Sequence, residues 1–175
     1  MISIVRMKLE DSFKIRDIDR SETIERIYTY KNEVLEETKT DHECSNWEEE
    51  DYSSIISRYE RELQNGGTAF GAYDGATLVG FGVLANKFRG REKDRLQIDL
   101  MYVSRNYRRQ GIGRRIMDEL SKAAIDKGAK YLYISSTETE SAVNFYRSCG
   151  SAITPEVDEE LFEKEPCDIH MVKRL

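Results

Sequence analysis

Apolar and polar positions follow two spacings along this chain. They alternate over short stretches and recur every third or fourth residue over longer ones, and each spacing predicts its own element. Residues 2–9 (ISIVRMKL) read as a first strand with imperfect alternation. Residues 24–38 predict a hairpin: IERIYTY and EVLEET are alternating or β-branched, with Lys31-Asn32 between them at the turn. Over residues 48–63, Tyr52, Ile55, Ile56, Tyr59 and Leu63 fall at helical spacing, and Gly66-Gly67 stops the run. That helix begins with Glu48-Glu49-Glu50-Asp51, negative charge where the peptide dipoles favour it. TAFGAY and TLVGFGVLA, joined at Asp74-Gly75, predict a second hairpin; the charged KFRGREKDR then predicts a loop, and LQIDLMYV a buried strand.

In the second half, GIGRRIMDELSKAAIDKG places Ile112, Ile116, Leu120, Ala123 and Ala124 on one face, with Gly128 as its stop, so an amphipathic helix opens through two glycines. KYLYIS predicts a strand, SAVNFYRSCG a short helix stopped by Gly150, and DIHMVKRL a last strand. The order, strands first and then strand, helix, strand, helix, strand, predicts a mixed α+β fold. With 175 residues, no repeat, no low-complexity linker and only Pro155 and Pro166 as prolines, residues 1–175 predict a single domain that needs no disulfide or metal staple.

Composition narrows the function. Apolar residues are 39% and charged residues 34% of the chain, a globular balance. The apolar runs are too short to span a bilayer, and MISIVRMKLEDS carries acids where a signal peptide has its apolar stretch, so a cytoplasmic protein without membrane contact is expected. A net charge of −6 argues against nucleic acid and favours a cationic small molecule or basic peptide, with acids clustered at residues 41–51 and 156–165. Cys44, Cys149 and Cys167 form no CxxC pair, and no histidine stands at metal-ligand spacing; reduced thiols and no metal are expected. His42 and His170 are isolated and receive no role.

The sharpest chemistry is Arg108-Arg109-Gln110-Gly111-Ile112-Gly113, between a strand end and a helix start. Without a Cβ, the two glycines let backbone approach a ligand, and amides at a helix N-terminus bind anions, phosphates above all. Arg108, Arg109, Arg114 and Arg115 add positive charge there. Arg114-Arg115 stands where a nucleotide-triphosphate loop needs Lys-Ser/Thr. Ile116 stands where the dinucleotide fingerprint needs its third glycine, and Ser135 and Ser136 stand where it needs an acid.

What remains is R-x-x-G-x-G after an apolar strand, with A-x-x-F-Y-x-x-x-G one strand later. In this pair, over residues 96–150, the sequence closely resembles the GNAT superfamily of acyl-CoA-dependent N-acetyltransferases, and the tail LFEKEPCDIHM is similar to tails of a bacterial subgroup. The resemblance implies a central, mostly antiparallel sheet with a splayed parallel strand pair, flanked by helices. It implies acetyl-CoA as cosubstrate, with the backbone of Met101, Tyr102 and Val103 bonding the pantetheine arm. The loop of Arg108, Arg109, Gln110, Gly111, Ile112, Gly113 and Arg114 would hold the diphosphate. Tyr146 would act as general acid on the leaving thiolate.

Two positions depart from the family pattern. Gln97 stands where several relatives carry a glutamate base, and Asp99, two residues on and so on the same face of a regular strand, is the substitute candidate. Thr139 stands where many relatives carry asparagine. The implied function is direct transfer of acetyl to a primary amine of a small molecule or peptide, with a homodimer compatible. The alternative is a non-catalytic acyl-CoA-binding regulatory or sensor module, which Gln97 keeps open.

Overall fold

A computed structural model describes residues 1–175. Seven strands form one sheet in the order β1-β4-β5-β6-β7-β9-β8. These are β1 (Ile2–Met7), β4 (Thr68–Asp74), β5 (Thr77–Arg89), β6 (Arg95–Val103), β7 (Tyr131–Ser136), β8 (Ser151–Ile153) and β9 (Ile169–Arg174). Every pairing is antiparallel except β6 with β7. The remaining strands, β2 (Glu22–Lys31) and β3 (Val34–Cys44), make a separate hairpin. The helices are α1 (Glu49–Gln64), α2 (Ile112–Asp126), α3 (Glu140–Ser148) and α4 (Glu159–Lys164).

Two apolar layers sandwich the sheet. Ile112, Ile116, Met117, Leu120 and Ala124 of α2 join Leu96, Ile98, Leu132 and Ile134 in one cluster. Burying each Leu or Ile contributes about 1.5–3 kcal/mol, which is why the 3.6-residue stripe decides which way α2 faces. The other face carries Tyr59 of α1 with Leu78, Phe81, Val83 and Leu100, and Trp47 beside them. Tyr59 donates from its hydroxyl to the Lys8 carbonyl at 2.6 Å, so α1 is tied to the end of β1.

Four features differ from the sequence reading. The first strand ends at Met7, and Leu9–Asp17 forms a 3-10 helix anchored by the fully buried Ile15. The first hairpin turns at Asn32-Glu33, both at positive φ, one residue later than expected. Part of the charged segment expected as a loop is strand: Phe88 pairs with Leu96 and Arg89 with Arg95. Its charges are tolerable because Arg89, 7% exposed, is matched by Asp158 at 2.9 Å and Glu160 at 3.3 Å. Finally β8 and α4, too short to show a period, lie between α3 and β9.

Candidate active site

The parallel pair is short. Only Arg95, Leu96 and Gln97 of β6 match Tyr131, Leu132 and Tyr133 of β7, whereas β6 stays paired to β5 as far as Val103. Beyond residue 97 the two strands part, and β7 keeps its other partner, β9. The edge of β6 over residues 98–103 therefore has no strand beside it, and apart from the Asp99 and Val103 carbonyls, which Arg58 and Arg108 take, its backbone polar groups on that side are open to an extended ligand. A cleft of about 1100 Å³ fills the gap, with Met101, Tyr102 and Val103 along one wall.

One end of the cleft is the glycine loop. Gly111 caps α2 from the left-handed region at φ +78°, with no side chain satisfying the first amides of the helix. The first intrahelical bond there is from Arg115 N–H to the Gly111 carbonyl, which leaves the amides of Ile112, Gly113 and Arg114 to a ligand. A Cβ built on Gly111 would meet no atom within 4 Å, so the approach is open. Arg108 donates from Nε to the Val103 carbonyl at 2.9 Å and fixes the loop to the end of β6. Gln110 turns its side-chain amide to the Asn106 carbonyl and Arg114 its guanidinium to the Ser148 carbonyl, while Arg109, at φ +60°, bonds no protein group. Open amides flanked by an unengaged arginine fit a diphosphate.

Gly113 is a glycine for a different reason from the one expected. A Cβ there would lie 2.8 Å from Cε2 of Phe145, so the missing side chain makes room for α3 against α2, and only its amide remains for a ligand.

Tyr146 comes to the cleft on α3. Thr139 caps that helix, accepting from the Ala142 amide at 3.4 Å, so the residue that departs from the family pattern has a local structural role. Strand β2 braces the same corner: the Tyr28 amide donates to the Glu138 carbonyl at 2.7 Å, and Arg26 lies 3.6 Å from Glu140. The first hairpin is thus the outer wall of the cleft. Tyr146 is 9% exposed, bonds no protein group through its hydroxyl, and is pushed above the ordinary tyrosine value by burial; it stays protonated at neutral pH.

Two carboxylates contrast sharply. Asp99 is the extra residue of a bulge, because Val83 pairs with Leu100 and Leu84 with Ile98. The bulge breaks the alternation on which its assignment as base rested. Its carboxylate is held by Arg58 of α1 through two bonds, at 2.9 and 2.8 Å, and does not line the cleft. The structure thus gives Asp99 a partner in Arg58 rather than a place in the cleft. Asp168, just before β9, does line the cleft. Its Oδ2 accepts from the Ser135 hydroxyl at 2.8 Å, and its other oxygen has no protein partner. Burial pushes this carboxyl up to about 6.

The sequence model of the Acetyltransferase (GNAT) family matches residues 27–151. The chain belongs to the GNAT family of acetyltransferases. Solved structures with this GNAT fold include nourseothricin acetyltransferase, at 21% identity and TM-score 0.73 over 99% of this chain and 98% of that one. A protein of Bacillus anthracis str. Ames assigned as a streptothricin acetyltransferase, in complex with acetyl coenzyme A, aligns at 18% and 0.74 over 100% and 99%. The PaiA N-acetyltransferase of Thermoplasma acidophilum, in complex with coenzyme A, aligns at 18% and 0.64 over 100% and 99%. No curated protein matches the chain.

In this GNAT chain the acidic stretches of the sequence fall mostly elsewhere. Over residues 41–51, Glu43 pairs with Arg105 and Glu49 with Arg16, and no acid of that stretch lines the cleft. Of residues 156–165 only Glu165 lines it; Glu156 and Glu160 pair with Arg95 and Lys87. The acids the cleft does hold are Glu22, Glu25, Glu138, Glu140, Glu165 and Asp168. The one sequence signal for Asp168 is that it is the acid opening DIHMVKRL, whose strand starts at Ile169. His170 is buried, 2.6 Å from the Tyr133 hydroxyl and held below the ordinary histidine value by burial, a structural role. No three His, Cys, Asp or Glu side chains are placed to hold a metal, and no helix is long and apolar enough to cross a membrane.

Proposed function

We propose that the protein transfers the acetyl group of acetyl-CoA directly to a primary amine carried by a cationic small molecule or peptide. The observation that carries the reading is the cleft between β6 and β7, which brings open backbone and free helix amides together with the unpartnered Tyr146 hydroxyl and the half-buried Asp168. The diphosphate would lie on the amides of Ile112, Gly113 and Arg114, near Arg109. The pantetheine arm would run along the free edge of Met101, Tyr102 and Val103, which directs the thioester toward Tyr146. The solved relatives that contain coenzyme A or acetyl coenzyme A support the cosubstrate.

The chemistry then makes two demands. A lysine-like amine, with a pKa of about 10.4, is neutral in only about one molecule per 10³ near pH 7, so a proton must be taken before attack. The thiolate leaving as the C–S bond breaks must gain one, and Tyr146, kept neutral by burial, is the group placed to give it. Arg20, Arg26, Arg108, Arg109 and Arg114 line the cleft as well, three of them in the glycine loop assigned to the diphosphate, so the acids without a basic partner, Glu25, Glu138 and Glu165, are the charges left to attract a cationic molecule. The test is thiol release from acetyl-CoA with nourseothricin, streptothricin, spermidine, a lysine peptide and an acidic amine. The expected result is turnover with at least one cationic amine and little with the acidic one; a preference for the acidic amine would refute the charge argument.

A further inference from the structure

Resting on that transfer reading, we propose that Asp168 is the general base that takes the proton from the acceptor ammonium. Three observations place it there. It lines the same cleft as Tyr146, just ahead of the strand that flanks β7 where β6 and β7 part. One oxygen is fixed by the Ser135 hydroxyl at 2.8 Å while the other has no protein partner, so the carboxylate is oriented and still has a free site for a proton. The competing acid, Asp99, has both oxygens engaged by Arg58 and stands outside the lining.

The surroundings tune the group in the useful direction. Burial raises its pKa, and Glu165 after α4 and Glu138 before α3 raise it further; the Ser135 hydroxyl of β7 and the Arg58 guanidinium of α1 act against them. Tyr146 of α3, whose pKa is raised by burial first and by the Asp168 charge among lesser causes, stays a neutral hydroxyl. With its pKa at about 6, Asp168 is ionised at pH 7 and basic enough to accept a proton, close to the optimum for a base working at neutral pH.

The step balances. The ammonium N–H bond breaks and its proton passes to the free oxygen of Asp168, which later releases it to solvent. The freed nitrogen lone pair forms the C–N bond at the thioester carbon while the carbonyl π pair moves to oxygen. On collapse the C–S bond breaks, its electron pair stays on sulfur, and Tyr146 donates its proton there. The nitrogen, cationic after attack, loses its second proton through solvent and so restores Tyr146.

The test compares wild type with Asp168→Asn, using acetyl-CoA and each of streptothricin, spermidine and a lysine peptide, between pH 5 and 10. Calorimetric acetyl-CoA binding reports that the variant is folded. The expected result is a loss of kcat of roughly 10² to 10⁴ at pH 7 with acetyl-CoA affinity within about threefold. The rising limb near pH 6 should disappear, and the defect should shrink toward pH 10, where the amine is neutral without help. A structural role would give a defect that is the same at every pH. A variant that keeps the rate, keeps the limb, or stays equally impaired at pH 10 overturns Asp168 and leaves the transfer reading standing. Wild type that binds acetyl-CoA yet releases no thiol with any of these amines overturns both.

Discussion

Arg58 donates from Nε and Nη2 to the two carboxylate oxygens of Asp99, at 2.9 and 2.8 Å, and from the same Nη2 to the Asp99 carbonyl at 3.0 Å. A helix on one face of the sheet thereby clamps both side chain and backbone of the bulge at which β6 begins to leave β7. Asp99→Asn is expected to lower stability by about 1–3 kcal/mol, toward the low end because Arg58 is partly in solvent. It should leave the rising limb of the pH-rate profile where it is. Urea unfolding and the pH profile check the two halves separately, and a displaced limb would return Asp99 to the chemistry.

Removing the Tyr146 hydroxyl tests the other proton. Tyr146→Phe should lower kcat by roughly 10² to 10⁴ while acetyl-CoA affinity stays within a few-fold. Because burial holds the hydroxyl above its ordinary value, the wild-type rate should show no falling limb from Tyr146 below about pH 10. Full turnover in the phenylalanine variant would reduce Tyr146 to packing.

The two loop glycines should respond differently. Gly113→Ala drives a methyl into the Phe145 ring and should cost about 1–3 kcal/mol, an effect partly relieved by Phe145→Leu. Gly111→Ala meets no neighbour but must hold φ +78°, which costs about 1–2 kcal/mol, and it should weaken acetyl-CoA binding by disturbing the helix amides. A double-mutant cycle in urea and calorimetry with acetyl-CoA separate these effects. Additive energies for Gly113 and Phe145 would contradict the contact.

Much of this was legible from residue order because it is local. The glycines before an apolar stripe, the strand ahead of them and the Phe145-Tyr146 pair lie within one stretch of chain, where period and chirality act. What was not legible depends on partners distant in sequence. A charged strand through Arg89 holds only because Asp158 and Glu160 return beside it. Asp99 left its expected face because one extra residue sits opposite β5, and no alternation rule shows a bulge in advance. Asp168 gains its environment from Ser135, Glu138 and Glu165, brought together only by the fold.

Acceptor charge predicts a split in the kinetics. Glu165→Gln should raise KM for spermidine about threefold to tenfold with little change in kcat, and added salt should shrink the difference. Equal KM values in both proteins at low salt would remove Glu165 from acceptor binding.

Asp168 also leaves a signature in stability. Its folded carboxyl, at about 6, lies above the ordinary carboxylate value, so the native state binds the proton more tightly than the unfolded chain. Its charge therefore costs stability above pH 6, and that cost is relieved as pH falls from 6 toward 4. Asp168→Asn should stabilise the fold at pH 8 by on the order of 1–2 kcal/mol, after discounting for its partial exposure, and much less at pH 4. Urea midpoints at the two pH values check the sign.

The most direct test of the whole account is a crystal structure with acetyl-CoA bound. It should show the diphosphate on the amides of Ile112, Gly113 and Arg114, the pantetheine along the free edge of Met101, Tyr102 and Val103, and the sulfur within hydrogen-bonding reach of the Tyr146 hydroxyl. A cofactor seated outside the gap between β6 and β7, or one whose sulfur lies far from Tyr146, would contradict it.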